Sequence, residues 1–229
     1  MTAPTAVMIF AAGFGTRMGA LTADRPKPMI PVAGRPLIDH ALDLVSDISP
    51  QRVVINTHYK AEVLTTHLEG RDVLISHEED EILDTGGGLK QARALLDATC
   101  SYTLNPDVAW RGPNPLMVLR DAWRPEHMDA LLLCVLTARA VGRLGAGDFT
   151  ASNAGHITRG GDLVYTGAQI IKLDQLDRVT EKVFSLNALW DLLIPDARVS
   201  AVEYPGHWCD VGRPEGITLA EDLMAHADV

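Results

Sequence analysis

The sequence predicts an α/β fold, with a mostly parallel central sheet carrying helices on both faces. Three observations point to it. Short apolar runs alternate with helical patterns over residues 7–104, which implies right-handed crossovers between parallel strands. The first apolar run ends directly in a glycine-rich loop. A chain of 229 residues, 47% of them apolar, is long enough to bury one sizeable core.

Each element follows from its local pattern. Residues 7–11 are apolar, end in glycines and suit a buried parallel strand. A helix is expected over 36–47, with Pro36 near its first turn and Leu37, Ile38, Ala41, Leu42 and Val45 on one face. A strand over 52–56 leads to a helix over 60–68, whose apolar face is Val63, Leu64 and Leu68. A strand over 72–76, a helix over 88–97 and a strand over 100–104 complete this half. The last strand stops at Asn105-Pro106-Asp107. The second half is less regular. It reads as a helix over 115–123, a buried strand over 130–137 and a hairpin within 148–157 turning at Asn153-Ala154-Gly155. A strand over 164–173 follows, then a helix over 185–194 with Trp190 and Leu193 as core. Strands over 199–203 and 207–211 lead to a closing helix from 214 to about 227. No internal repeat or linker divides the chain, so a single domain over 1–229 is expected.

Composition excludes some classes of partner. The formal net charge of −10 disfavours nonspecific binding to nucleic acid or to an anionic membrane. It leaves anionic substrates open, because a few placed cations and a metal reverse the local field. The N-terminal stretch lacks a basic region, and glycines and Arg17 interrupt its apolar run. It is expected to be a first strand and not a signal peptide. The longest apolar run elsewhere, over 130–138, is too short to span a membrane. Cys100, Cys134 and Cys209 show no metal spacing and read as reduced thiols of a cytoplasmic protein.

The loop Gly13-Phe14-Gly15-Thr16-Arg17-Met18-Gly19 follows the first strand at its carboxyl end, where such sheets collect ligands. Glycines let a backbone approach phosphate closely, although a plain tight turn has the same composition. A dinucleotide fingerprint is disfavoured by Met18, and a Walker loop has no Gly-Lys-Ser/Thr here. Arg17 lies in the loop. Lys27 follows in Arg25-Pro26-Lys27-Pro28, where two prolines stiffen the backbone around one cation. That suits phosphate bound at a fixed point; a solvated surface loop is the alternative. Asp107 and Asp210 lie far apart in sequence, both at strand ends. Mg²⁺ takes one or two protein carboxylates and completes its shell with water and substrate oxygens, so the two could share an ion. Either could instead be a turn residue. Asp84-Thr85-Gly86-Gly87-Gly88 precedes the expected third helix, as a plain turn or as a surface for a flat base.

The segments Ala11-Ala12-Gly13-Phe14-Gly15-Thr16-Arg17-Met18 and Arg25-Pro26-Lys27-Pro28 resemble the signature of the sugar-nucleotide pyrophosphorylases. Asn105-Pro106-Asp107 and Trp208-Cys209-Asp210-Val211-Gly212 resemble that family's two acidic segments. The resemblance runs from end to end. It implies a Rossmann-like nucleotidyltransferase fold, a nucleotide-binding half over about 1–110 and a sugar-phosphate-binding half over about 111–229. It also implies Mg²⁺, a nucleoside triphosphate and a sugar-1-phosphate. By resemblance, Ala11, Ala12, Gly13, Gly15, Thr16, Arg17, Lys27, Gly86, Gly87 and Asn105 hold the nucleotide, with His77 and Glu78 bordering the base. Gly147, Asp148, Thr166 and Gly167 line the sugar-phosphate side, where ordinary β-turns are the alternative. Arg17, Lys27, Asp107 and Asp210 carry the chemistry, and the two aspartates hold the metal. Pro106 departs from the family, which usually has a small residue there. A catalytically degenerate nucleotide-sugar sensor is therefore kept as an alternative.

Pro31-Val32-Ala33-Gly34-Arg35-Pro36-Leu37-Ile38, Thr85-Gly86-Gly87-Gly88, Gly147-Asp148-Phe149 and the 206–212 block most resemble the N-acetylmuramate-1-phosphate uridylyltransferase subfamily of cell-wall recycling. That favours UTP. Mannose-1-phosphate guanylyltransferases share most of these motifs and are the alternative. A monomer or weak homo-oligomer is expected.

Overall fold

Alternation along the first strand divides the core in two. In β1 (Ala6–Phe10), Val7 and Ile9 join one apolar cluster while Ala6 and Met8 join another. All four are fully buried, as expected of a parallel strand covered on both faces. The computed structural model describes residues 3–225. After β1 come a small hairpin, β2 (Pro31–Val32) and β3 (Arg35–Pro36), then α1 (Leu37–Ser46), β4 (Arg52–Thr57), α2 (Ala61–Leu68), β5 (Leu74–His77), α3 (Asp84–Leu96) and β6 (Cys100–Leu104). The chain continues through β7 (Val108–Arg111), α4 (Pro115–Ala122), β8 (Ala130–Leu136), β9 (Ala140–Val141), β10 (Phe149–Ala151), β11 (Ile157–Arg159) and β12 (Leu163–Lys172). It closes with α5 (Leu186–Leu193), β13 (Val199–Glu203), β14 (His207–Asp210) and α6 (Glu215–Ala225).

The central sheet runs β5-β4-β1-β6-β12-β8-β13. Its first four strands are parallel. β12 is antiparallel to both β6 and β8, and β13 is parallel to β8. The β10–β11 hairpin hangs on the start of β12. Residues of α1, α2 and α4 pack on the face with Val7 and Ile9; residues of α3 and α5 pack on the other. A second, three-stranded sheet orders β7-β14-β9.

The expected strand–helix alternation matches the first half within a few residues at each boundary. One boundary is corrected: α3 begins at Asp84, so Gly86, Gly87 and Gly88 lie inside the helix and do not precede it. The end of the closing helix expected near 227 lies outside the described residues. Strands β7 and β9 and the β2–β3 hairpin were not anticipated; they are four residues long or shorter. No helix among the described residues is long and apolar enough to cross a membrane.

Asp129 pins three strands at the end of the sheet away from the glycine loop. It precedes β8, and its side chain is 11% exposed. Its carboxylate accepts Nε and Nη2 of Arg198, just before β13, at 3.0 and 2.8 Å, and Nζ of Lys172, the last residue of β12, at 2.8 Å. The Arg198 hydrogen bonds, helped by Lys172, hold its pKa below the ordinary 3.8. A depressed carboxyl pKa stabilises the fold above the unfolded value, and that stability is lost as pH falls through the folded one. Asp129→Asn is therefore expected to lower unfolding free energy at pH 7 by about 1.5–3 kcal/mol, the usual worth of bonds to charged groups. In urea melts the gap to wild type should narrow as pH drops below 3.8. A gap independent of pH would contradict this role.

Candidate active site

The glycine loop is anchored from below. Chain leaving β1 donates its Ala11 N–H to Oδ1 of Asn56 at 2.7 Å. Asn56, in β4, donates Nδ2 to Oε1 of Glu78 at 2.7 Å, and Oε2 of Glu78 accepts the Leu83 N–H at 2.8 Å. Both side chains are buried. A buried carboxylate is costly unless hydrogen-bonded, and here both oxygens are satisfied. The relay ties the start of the loop to the start of α3.

Gly15 then turns the chain with φ +63°, a conformation that favours glycine. A Cβ at this position would stand 2.9 Å from Cβ of Lys27. The missing side chain thus lets the loop lie against the stem of Lys27. Lys27 opens a short 3₁₀ turn, Lys27–Met29, and its side chain is 11% exposed. Its Nζ donates to Oδ2 of Asp107 at 2.5 Å. Arg17 is exposed and makes no hydrogen bond through its side chain among the described residues, although its charge reaches Asp210.

The backbone brings the two aspartates together. Asp107 links β6 to β7, and β14 pairs antiparallel with β7, setting Asp210 opposite Val108. The Val211 N–H donates to the Asp107 carbonyl at 3.0 Å. Burial, and after it the neighbouring Asp107, pushes the Asp210 carboxyl above its ordinary 3.8, against the opposing charges of Lys27, Arg17 and Arg143. Two adjacent carboxylates that repel each other present hard oxygen donors, the chemistry Mg²⁺ prefers. No cluster of three or more His, Cys, Asp or Glu suited to a metal exists among the described residues. Two carboxylates are sufficient for an ion that keeps water and substrate oxygens.

Three cavities meet at Asp107. The first, roughly 240 Å³, is lined by the loop with Arg17, Lys27 and Pro106. The second, roughly 250 Å³, is walled by Tyr165, Trp190 and Trp208 and includes Asp148 and Asp210. The third, roughly 440 Å³, lies against Asn56, Glu78, Asp84 and Thr85. Arg17 borders the first two, and Asn105 borders the last two.

Most residues singled out in the sequence converge here. Ala11, Gly13, Gly15, Thr16, Arg17, Lys27 and Asp107 line the first cavity, and Ala12 and Asn105 line the third. Asp148, Thr166, Gly167 and Asp210 line the second. The Asn105 N–H donates to the Gly167 carbonyl at 2.8 Å. Three glycines are placed elsewhere. The N–H groups of Gly86 and Gly87 donate to the Phe184 carbonyl at 2.9 and 3.0 Å, and added Cβ atoms would strike Phe184 and Lys182. Their small size serves packing of α3 on that segment; Asp84 and Thr85 form the cavity wall instead. Gly147 lies against the backbone of residues 161–163. His77 is exposed and contacts Thr57, while Glu78 does border the third cavity. Sequence reasoning missed Asn56, Arg143, Asn187 and the second role of Trp190, which is core and cavity wall at once. None of these stands in a dense motif.

Over residues 7–160 the sequence matches the MobA-like NTP transferase domain. The chain is 38% identical to N-acetylmuramate alpha-1-phosphate uridylyltransferase of Caulobacter vibrioides, covering 98% of this chain and 99% of that one. It is 26% identical to mannose-1-phosphate guanylyltransferase catalytic subunit beta of Dictyostelium discoideum, covering 91% of this chain but 61% of that one. HddC from Yersinia pseudotuberculosis, complexed with GMP-PN, superposes with a TM-score of 0.76 at 22% identity, over 95% of this chain and 98% of that one. A UDP-glucose pyrophosphorylase complexed with UDP-glucose gives 0.77 at 16% identity, over 95% and 97%. At such identities these structures show a shared fold.

Asn56→Ala would leave the Ala11 N–H and one oxygen of the buried Glu78 without their partner. Each unsatisfied group costs about 1–3 kcal/mol, more when charged. A lower urea midpoint is expected, together with a smaller rise in melting temperature on adding nucleoside triphosphate. An unchanged midpoint and an unchanged rise would show that the relay does not hold the loop.

Proposed function

The chain belongs to the family of MobA-like NTP transferase domains, and from that premise we propose that it joins a uridylyl group from UTP to N-acetylmuramate 1-phosphate. The products are UDP-N-acetylmuramate and pyrophosphate, in a cytoplasmic route of cell-wall recycling. The observation that carries this reading is the 38% identity to the Caulobacter vibrioides uridylyltransferase over nearly the whole of both chains. Guanylyl transfer to mannose 1-phosphate is the second reading. Its support is weaker, at 26% identity to a relative of which the chain spans 61%. We take the chain as one catalytic unit, a nucleotide half followed by a sugar-phosphate half, acting as a monomer or weak homo-oligomer.

The reaction is a direct displacement. A phosphate oxygen of the sugar phosphate attacks the α-phosphorus of UTP, the bond from that phosphorus to the bridging oxygen breaks, and pyrophosphate leaves. The nucleophile is already anionic, so the reaction needs no strong base. The difficulty lies in bringing anions together, which positioning and charge neutralisation solve. In this reading the Ala11–Thr16 backbone and Lys27 hold the phosphates, and Arg17 offsets charge growing on the departing pyrophosphate. The base occupies the cavity of Asn56, Glu78 and Asp84, and the sugar occupies that of Asp148, Tyr165 and Trp190. Asp107 and Asp210 would hold Mg²⁺, which when bound supplies positive charge to the phosphate oxygens. Lys27, hydrogen-bonded to Asp107, stands where it would balance that pair as substrates enter and leave.

Removing one charge-stabilising contact commonly costs about 10²–10³ in turnover. Asp107→Ala and Arg17→Ala are each expected to lose at least that much in pyrophosphate release from UTP and N-acetylmuramate 1-phosphate with Mg²⁺, with circular dichroism unchanged. Chelation by EDTA should abolish release, and added Mg²⁺ should restore it. Near-normal turnover in either variant would remove that residue from its assigned role. A wild-type protein whose melting temperature rises with nucleotide, yet which releases no pyrophosphate, would instead be a sensor.

A further inference from the structure

The second cavity holds a cation outside the phosphate cradle. Arg143 stands at its rim, on the loop after β9, flanked by Gly142 and, two residues on, Gly145, both at positive φ. Its Nη2 donates to Oδ1 of Asp148 at 2.9 Å, while Oδ2 of Asp148 accepts the Tyr165 N–H at 2.9 Å. Asp148 is thereby fixed from both sides and holds the guanidinium through one nitrogen. Arg143 makes no other side-chain hydrogen bond among the described residues. A guanidinium offers five N–H donors in a rigid fork, so donors remain for a second carboxylate.

Charge makes this position selective. Three carboxylates, Asp107, Asp148 and Asp210, line the cavity, with two cations, Arg17 and Arg143. Arg17 is shared with the phosphate cavity, whereas Arg143 is not among that cavity's lining residues. The other lining residues, Phe149, Tyr165, Trp190, Trp208 and Asn187 among them, are neutral. With Asp107 and Asp210 given to the metal in the reading above, a ligand that brought a carboxylate here beside its phosphate would face Asp148, and desolvating a charge without a partner is costly. A neutral sugar would meet no such barrier and would leave Arg143 serving only its pair with Asp148.

We infer that Arg143 recognises the carboxylate of a sugar 1-phosphate bearing an ether-linked acid, and so selects that acid over the same sugar without it. The inference rests on the substrate reading above and deepens it. N-acetylmuramate 1-phosphate differs from N-acetylglucosamine 1-phosphate by its lactyl ether alone, which makes the two a matched pair. Specificity is then a difference of affinities that one cation creates.

The test compares kcat/KM for both sugar phosphates with UTP in wild type, Arg143→Gln and Arg143→Lys. A hydrogen bond to a charged group corresponds to about 10- to 100-fold. The ratio of acid to neutral kcat/KM is expected to fall by that factor in Arg143→Gln. Arg143→Lys, which keeps the charge but not the fork, should recover part of the ratio. An equal loss on both sugars would place Arg143 on the shared phosphate and overturn the inference, as would an unchanged ratio. If the wild type turns over neither sugar with UTP, the substrate reading itself fails and takes the inference with it.

Discussion

Two carboxylates that repel each other are held side by side, and the rest of the site is arranged around that repulsion. Asp210 is half-buried with Asp107 beside it, so its charge is disfavoured both by lost hydration and by its neighbour. Side chains alone would relax such a pair by rotating apart. Here the backbone fixes both ends: β14 is hydrogen-bonded to β7, and the Val211 N–H closes on the Asp107 carbonyl. The opposing cations reach the pair from three separate loops, at Arg17, Lys27 and Arg143. A polar environment set in place before the ligand arrives has little reorganisation left to undergo during reaction.

Those loops are placed by the sheet. β1 and β6 are parallel neighbours, so the glycine loop and the Asp107 turn leave the same end of adjacent strands. Lys27 comes from a third segment, and the absent side chain of Gly15 lets that segment lie directly on the loop. On the other flank, the β12–β8 register shifts between Tyr165 and Gln169. The strand is irregular where the Gly167 carbonyl takes the Asn105 N–H and the Thr166 carbonyl takes Nε1 of Trp208 at 3.0 Å. Irregularities of this kind re-aim a strand beside a functional site. One carries the Asp107 turn and the other the Asp210 strand, so β12 is tied to both aspartates' segments. The formal net charge of −10 is compatible with anionic ligands because these few cations are concentrated where the sheet opens.

Legibility in the sequence followed the range of the forces involved. The first half was readable because each strand and helix carries its own period, and parallel pairing between them needs little else. The loop residues Gly13, Gly15, Arg17 and Lys27 were readable because close approach and stiff proline flanks are local properties. Asn56 was not: a single asparagine at a strand end has no local signature, and its role exists only through Ala11 and Glu78. Arg143 was hidden for the same reason, since its partner Asp148 is bound in turn to Tyr165. Gly86 and Gly87 carry no local sign of their surroundings: inside α3 their small size makes room for Phe184 and Lys182. Strands β7 and β9 are too short for a period to register, yet β7 is the element that pairs β14 and so brings Asp210 to Asp107.

Pro106 directly precedes Asp107 and so touches this arrangement. A proline removes one backbone donor and fixes φ. Its neighbours are both tied: the Asn105 N–H is bound to Gly167, and the Asp107 carbonyl accepts from Val211. The donor that proline lacks therefore falls between two anchored residues, and the turn keeps its shape without it. Fixed φ also narrows the conformations open to the unfolded chain, which favours a turn whose native geometry proline can adopt. What the proline shapes is the wall of the first cavity, where Pro106 presents a ring and no N–H. In the proposed reaction, a phosphate oxygen at that wall would take its donors from the glycine loop, Arg17 or Lys27, which would place more of the binding on the two cations and less on the turn that carries Asp107.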